Sequence, residues 1–171
     1  MAYDSSNVFA KILRGELPAH KVYEDADTLA SMDIMPRAEG HTLVIPKAPV
    51  RNLLDASEAQ LAACIRTVQR IAAAAKEAFA ADGITLLQAN EGAGGQVVFH
   101  LHFHVMDGPS PLGSNGLPFV FRSFDSEGTS TDDIDDLLAG QRAVIGPALA
   151  GPHQNQMPLL NQVVGFPAIR Q

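Results

Sequence analysis

Three histidines alternate with large apolar residues over residues 100–106, in the order His-Leu-His-Phe-His-Val-Met. Successive side chains of a β-strand point to opposite faces of the sheet. A strand here therefore places all three imidazoles on one face and Leu101, Phe103 and Val105 on the other. The row predicts a rigid element with an apolar face and a face of groups that titrate near neutral pH.

Length and composition limit the class of protein. The 171 residues fit one domain, or one domain with an appendage. The single cysteine, Cys64, excludes an internal disulfide framework and fits a reducing compartment. Since the first residues resemble no signal peptide, we expect a cytoplasmic protein. The net charge of -7 argues against nucleic-acid binding, although a local site can still bind a small anion. We also expect no membrane contact, because no apolar run approaches the ~20 residues of a span.

Periodicity and turn residues predict an α+β fold with an antiparallel sheet. Asn7 caps a predicted short helix over residues 8–14. A capping-box pattern from Ser57 to Gln60 begins a long helix that we expect to end at Gly83. The predicted strands cover residues 21–23, 28–34, 41–46, 84–89 and 96–106.

The two parts of the chain differ in character. Residues 1–106 carry clear element signals and form the predicted domain core. Residues 107–171 hold most of the glycines and prolines and no lysine. We interpret them as an atypical C-terminal extension with one helix near residues 132–149.

The histidine row has three interpretations. In the first, the histidines are structural core residues whose ring nitrogens are hydrogen-bonded to their neighbours. This would explain a single buried histidine better than three on one strand face. A metal site is compatible with a His-x-His pair, but the outer two Cα atoms of the row would lie about 13 Å apart. Catalysis at phosphorus is the third, because neutral imidazole attacks phosphorus well and neighbouring imidazoles assist the leaving group.

A glycine-rich turn precedes the row. Gly92, Gly94 and Gly95 permit positive φ angles, and we expect them to expose backbone N–H groups as an anion-binding nest. Asn90 and Gln96 flank the turn with amide donors. The turn, the amides and the imidazoles together predict a phosphate-binding site.

The chain resembles the histidine triad (HIT) family, whose signature is three histidines alternating with apolar residues. Residues 100–106 match all of it, and residues 7–18, 22–25, 32–36, 40–47 and 90–96 resemble further family blocks in the same order. The resemblance is to the Hint-like branch, bacterial type. It implies a five-stranded antiparallel sheet, a long helix, a short N-terminal helix and a homodimer.

The resemblance also implies a role for each matching residue. His102 is the expected nucleophile, His104 binds the phosphate oxygens and assists the leaving group, His100 orients its neighbour, and His41 completes the cluster. Asp33 is expected to accept hydrogen bonds from the ribose hydroxyls. The expected purine pocket is lined by Phe9, Ile12, Ile34 and Leu43. The expected border of the phosphate is formed by Asn90, Gly95, Gln96 and Val97.

The expected activity is hydrolysis or nucleotidyl transfer on purine nucleoside phosphoramidates or other AMP conjugates. Dinucleoside polyphosphate hydrolysis, a nucleotide-binding regulatory module and a metal-dependent hydrolase remain open alternatives. Asn7 and Ala10 stand where some relatives have zinc-binding cysteines, so we expect no structural metal and no cofactor. Val97 stands where many relatives have serine.

Overall fold

A computed structural model describes residues 2–107 and, beyond them, only Ala143. In this part of the chain an antiparallel five-stranded sheet packs against one long helix and one short one, which confirms the predicted α+β class. The predicted extension, with its helix near residues 132–149, lies outside the described residues apart from Asp107 and Ala143.

The five strands follow the order β1-β2-β3-β5-β4, and every neighbouring pair is antiparallel. β3 and β5 form the centre, with the register Leu43 opposite His104 and Val44 opposite Phe103. The pairing places the third histidine of the row beside β3. The strand bounds are β1 Lys21–Glu24, β2 Thr28–Met32, β3 Thr42–Pro46, β4 Ile84–Leu87 and β5 Phe103–Asp107.

The long helix, α2, spans Glu58–Ala78. Ser57 accepts from the Gln60 backbone N–H, and the Gln60 side chain accepts from the Ser57 N–H, so the predicted capping box is confirmed. The predicted end at Gly83 is wrong. The helix stops at Ala78 because Ala80 already has a left-handed φ of 48°.

Two apolar clusters cover the two faces of the sheet. α2 packs over a cluster that includes Val44, Leu101, Phe103 and Val105. The short helix α1, Val8–Leu13, covers the other face, where Phe9 packs with three strand residues, Leu29, Leu43 and Ile45. The sheet therefore separates the α2 side from the side on which α1 lies.

The strand of the histidine row is shorter than predicted. Its ladder begins at Phe103, because pairing with β3 ends at Val44, whereas residues 96–102 form bends and coil. The alternation of faces is nevertheless confirmed. Leu101 and Phe103 join the cluster beneath α2, while His102 contacts Phe9 on the α1 side.

Within the described residues, no helix combines the length and the apolar character that crossing a membrane requires.

Candidate active site

Four imidazoles lie together on the α1 side of the sheet. The rings of His102 and His104 have centroids 5.0 Å apart, and those of His41 and His104 are 5.1 Å apart. Phe9 stands edge-on to His102 at 5.2 Å. β5 carries His104, and His41 directly precedes β3, so the central strand pair brings the cluster together.

His100 is held at both ring nitrogens. Its Nε2 lies 2.8 Å from the carbonyl oxygen of Pro46, and since a carbonyl only accepts, this nitrogen carries the proton. Nδ1 of the neutral ring then accepts from the Tyr3 hydroxyl at 2.5 Å. Burial lowers the pKa of His100 to about 4, which keeps the ring neutral at physiological pH.

His102 presents one nitrogen to the site with a free lone pair. Its Nδ1 lies 2.6 Å from the carbonyl oxygen of His100, so Nδ1 is the protonated, donating nitrogen. Burial also lowers the pKa of this ring. The neutral tautomer therefore leaves Nε2 unprotonated, which is the form in which an imidazole acts as a nucleophile.

His41 and His104 form a hydrogen-bonded pair beside the row. The backbone N–H of Arg37 donates to His41 Nδ1 at 3.1 Å, so His41 Nε2 donates to His104 Nδ1 at 2.9 Å. His104 then carries its proton on Nε2. Burial is the main cause that lowers the pKa of His41 to about 4 and that of His104 to about 3.

Asp33 brings a carboxylate to this pair. Its Oδ2 lies 3.4 Å from His41 Nδ1 and 3.9 Å from His104 Nδ1, while its Oδ1 accepts from the Met35 N–H at 2.9 Å. Burial raises the pKa of Asp33. The ligand atoms of Asp33, His41 and His104 lie within 4.8 Å of one another, so these three residues could hold a metal ion.

The residues predicted to line the purine pocket differ in exposure. Phe9 and Leu43 are buried in the apolar cluster on the α1 side, with Ile12 packed against it. Ile34 is 60% exposed beside Asp33. Phe9 contacts the histidine rings and Ile34 lies open to solvent, and their contact with a nucleotide stays a prediction.

Two of the backbone N–H groups that we expected the glycine turn to expose form hydrogen bonds within the turn itself. The N–H groups of Gly94 and Gly95 donate to the carbonyls of Glu91 and Gly92, and the N–H of Gln96 also donates to Glu91. The expectation that Gly94 and Gly95 offer free N–H groups is therefore wrong. Gly95 does adopt a left-handed φ of 89°.

The flanking amides hold the same loop. Gln96 is buried, donates to the carbonyls of Arg51 and Val98, and accepts from the Glu91 N–H. Asn90 Oδ1 accepts from the Leu53 N–H at 2.9 Å. These contacts position the loop, whereas a phosphate contact by either residue stays a prediction. Val97 is 84% exposed at the tip of the loop.

Comparisons with known proteins agree with this geometry. The model of the HIT domain family matches residues 14–110, which contain the histidine row, His41 and Asp33. The chain belongs to the HIT domain family. That membership accounts for the joint presence of the histidine row, His41 and Asp33 in one chain.

Individual HIT proteins match over most of the described residues. A crystal structure of an HIT-like protein from Bartonella henselae is 46% identical, with a TM-score of 0.71, and the match covers 86% of this chain and 99% of that one. An HIT-like protein of Synechococcus elongatus is 44% identical over 106 residues, which are 60% of this chain and 90% of that protein. The adenylylsulfatase HINT3 of Arabidopsis thaliana is 40% identical over 99 residues, 58% of this chain and 50% of that protein.

The sequence analysis did not identify three residues that support the HIT site: Tyr3, Arg51 and Glu91. Tyr3 donates to His100 from 97 positions away, and nothing in the first residues indicates it. The Arg51 guanidinium pairs with the carboxylate of Glu91 and stacks 4.6 Å from the Phe99 ring. Opposite charges 40 positions apart give no local signal either, because only the fold brings them together.

Proposed function

We propose that this chain hydrolyses purine nucleotide conjugates at the α-phosphorus, through a covalent nucleotidyl group on His102. The bond cleaved joins phosphorus to nitrogen, or to oxygen in an anhydride. One observation carries the proposal: His102 donates from Nδ1 to the His100 carbonyl, which leaves the Nε2 lone pair for attack.

The proposed reaction has two displacements at the same phosphorus. In the first, the Nε2 lone pair of His102 forms a bond to phosphorus, and the bond to the leaving group breaks. An anhydride leaving group departs as an anion, while an amine also takes a proton from solvent. In the second, water attacks phosphorus and loses a proton to solvent, and the electron pair of the N–P bond returns to Nε2 with release of the nucleoside monophosphate.

The surrounding groups fit the charge that this reaction develops. His104 has its proton on Nε2, so it can donate to a phosphate oxygen while His41 holds its other nitrogen. Asp33 offers the carboxylate for the ribose hydroxyls. The similarity to a protein named adenylylsulfatase supports an AMP group joined through an anhydride.

A substrate panel tests the proposal. Wild-type protein should release AMP from adenosine 5′-phosphoramidate or adenylyl sulfate, while diadenosine polyphosphate tests the other family activity.

His102→Ala should abolish turnover and leave AMP binding measurable by calorimetry. His20→Ala, a histidine outside the row, is the matched control and should keep the wild-type rate. Unchanged turnover in His102→Ala would contradict the covalent mechanism, and AMP binding without wild-type turnover would favour a regulatory binding module.

A metal-dependent hydrolase is the second candidate, because Asp33, His41 and His104 place three ligand atoms close together. That mechanism requires loss of activity with a chelator and near-stoichiometric metal in the purified protein. The covalent mechanism instead predicts the same rate before and after chelation, which separates the two candidates in one assay.

A further inference from the structure

The carbonyl that fixes the tautomer of His102 lies outside the sheet ladder. β5 begins at Phe103, and its pairing with β3 ends there, so His100 belongs to no strand. Its carbonyl oxygen nevertheless accepts from His102 Nδ1 at 2.6 Å. Something other than ladder hydrogen bonds must therefore keep this carbonyl in place.

The side chain of His100 supplies much of that support. The ring is fully buried and bonded at both nitrogens, to the Pro46 carbonyl at the end of β3 and to the Tyr3 hydroxyl. The next residue adds one backbone bond, from the Leu101 N–H to the Val50 carbonyl at 2.8 Å. His100 is thus fixed between β3 and the N-terminal segment.

The Tyr3 hydroxyl supplies the donor that the tautomer of His100 requires at Nδ1. A neutral imidazole carries one proton, and the bond to the Pro46 carbonyl requires it on Nε2. Nδ1 is then a buried acceptor, and leaving such a group without a donor is costly. A ring that moved its proton to Nδ1 would lose its bond to Pro46.

We propose that Tyr3 is a positioning residue for catalysis, acting on the nucleophile His102 through the ring and carbonyl of His100. The chain of hydrogen bonds runs from the Tyr3 hydroxyl to His100 Nδ1, from His100 Nε2 to Pro46, and from His102 Nδ1 to the His100 carbonyl. The role rests on the proposed function, because it assumes that His102 attacks phosphorus.

A substitution of Tyr3 by phenylalanine separates the hydroxyl from the ring. The Tyr3 ring packs edge-on against His100 with centroids 5.5 Å apart, and phenylalanine keeps that contact. Tyr23→Phe is the matched control. Its hydroxyl contacts Asp25 and Arg70, so the control removes a part-buried hydroxyl away from the histidine row.

The test combines steady-state kinetics on an AMP conjugate with ¹⁵N spectra of the histidine rings. In Tyr3→Phe we expect kcat to fall about fivefold, from the loss of one hydrogen bond, at unchanged KM. His100 should keep its Nε2–H tautomer, because the Pro46 carbonyl fixes it, but the ¹⁵N resonance of its Nδ1 should shift when the hydroxyl donor is lost. Tyr23→Phe should change neither kcat nor this resonance.

The experiment distinguishes a failure of the proposed role of Tyr3 from a failure of the proposed function. A wild type that turns over, with a Tyr3→Phe variant of unchanged kcat, overturns the role of Tyr3 and leaves the proposed function standing. An equal loss of kcat in Tyr3→Phe and Tyr23→Phe also overturns it. A wild type that turns over no AMP conjugate overturns the proposed function itself.

Discussion

At the scale of single residues, backbone groups decide which nitrogen of each imidazole carries the proton. The Pro46 carbonyl fixes His100, the His100 carbonyl fixes His102, and the Arg37 N–H fixes His41. Backbone atoms are held by the fold and do not change with protonation of a neighbour. A free lone pair on His102 is therefore a property of the folded chain.

Burial of the imidazoles makes the stability of the protein depend on pH. The folded pKa is about 4 for His41 and His100 and about 3 for His104, below the ordinary value of 6.5. Between pH 6.5 and these values the unfolded chain binds protons that the folded chain does not, so stability falls as pH falls. Asp107, whose pKa burial raises to about 6, opposes this because its folded form binds the extra proton.

The lowered pKa of His102 adds to this loss, and the raised pKa of Asp33 opposes it. The four imidazoles outweigh the two carboxyls. We expect the free energy of unfolding to decrease by about 2–4 kcal/mol from pH 7 to pH 5. Urea denaturation at the two pH values measures this directly. A protein as stable at pH 5 as at pH 7 would contradict neutral, buried imidazoles.

At the scale of elements, an ion pair fixes the loop that leads into the histidine row. Arg51 is buried, and its guanidinium binds the Glu91 carboxylate while it stacks on Phe99. Glu91 itself has a positive φ of 61°, a strained value for a residue with a side chain. The pair therefore stabilises a loop conformation that local sequence disfavours.

Removal of this pair should loosen the loop. We expect Arg51→Ala to lower the free energy of unfolding, because it removes the ion pair with Glu91 and the packing of the guanidinium on Phe99. Hydrogen exchange should rise in residues 90–99. Arg14→Ala is the control: its pair with Glu16 is exposed, so we expect a clearly smaller loss. Equal effects of the two substitutions would contradict a structural role for Arg51.

Elements with local signals were predictable from sequence, and their ends were less so. The capping box at Ser57 and the apolar repeat that follows are local, and they predicted α2. The start of β5 at Phe103 depends on where β3 stops pairing, which the sequence of either strand alone does not contain. The early end of α2 depends in the same way on the backbone at Ala80.

In the candidate site, too, features with a local sequence signal were predictable, and features that depend on the fold were not. The alternation of residues 100–106 predicted which side chains share a face, because that follows from strand geometry. The use of the Gly94 and Gly95 amides within their own turn was not predictable from the presence of glycine. The contact of Tyr3 with His100 joins distant segments, and only the packed fold reveals it.

At the scale of the whole molecule, β4 is an edge strand of the sheet in the described part of the chain. An edge strand offers unpaired backbone groups to a second chain. We propose a homodimer in which the two sheets meet, and Leu86 on β4, 47% exposed, lies at this edge.

A charge at this edge tests the proposed dimer. We expect Leu86→Lys to shift the protein from dimer to monomer, measured by size exclusion with light scattering, because lysine at an edge opposes strand pairing. Ile65→Lys is the control, since Ile65 is 45% exposed but lies on α2. A monomeric wild type, or a Leu86→Lys variant that stays dimeric, would contradict this assembly.

The central claim is a covalent bond between His102 Nε2 and the α-phosphorus of a nucleotide. Rapid acid-free quenching during turnover of an adenosine 5′-phosphoramidate, followed by peptide mass spectrometry, looks for that bond. We predict an adenylyl group on the peptide that contains His102 in wild-type protein, and none in His102→Ala. Turnover by the wild type with no adenylylated peptide at any time point, and with equal turnover by His102→Ala, would contradict it.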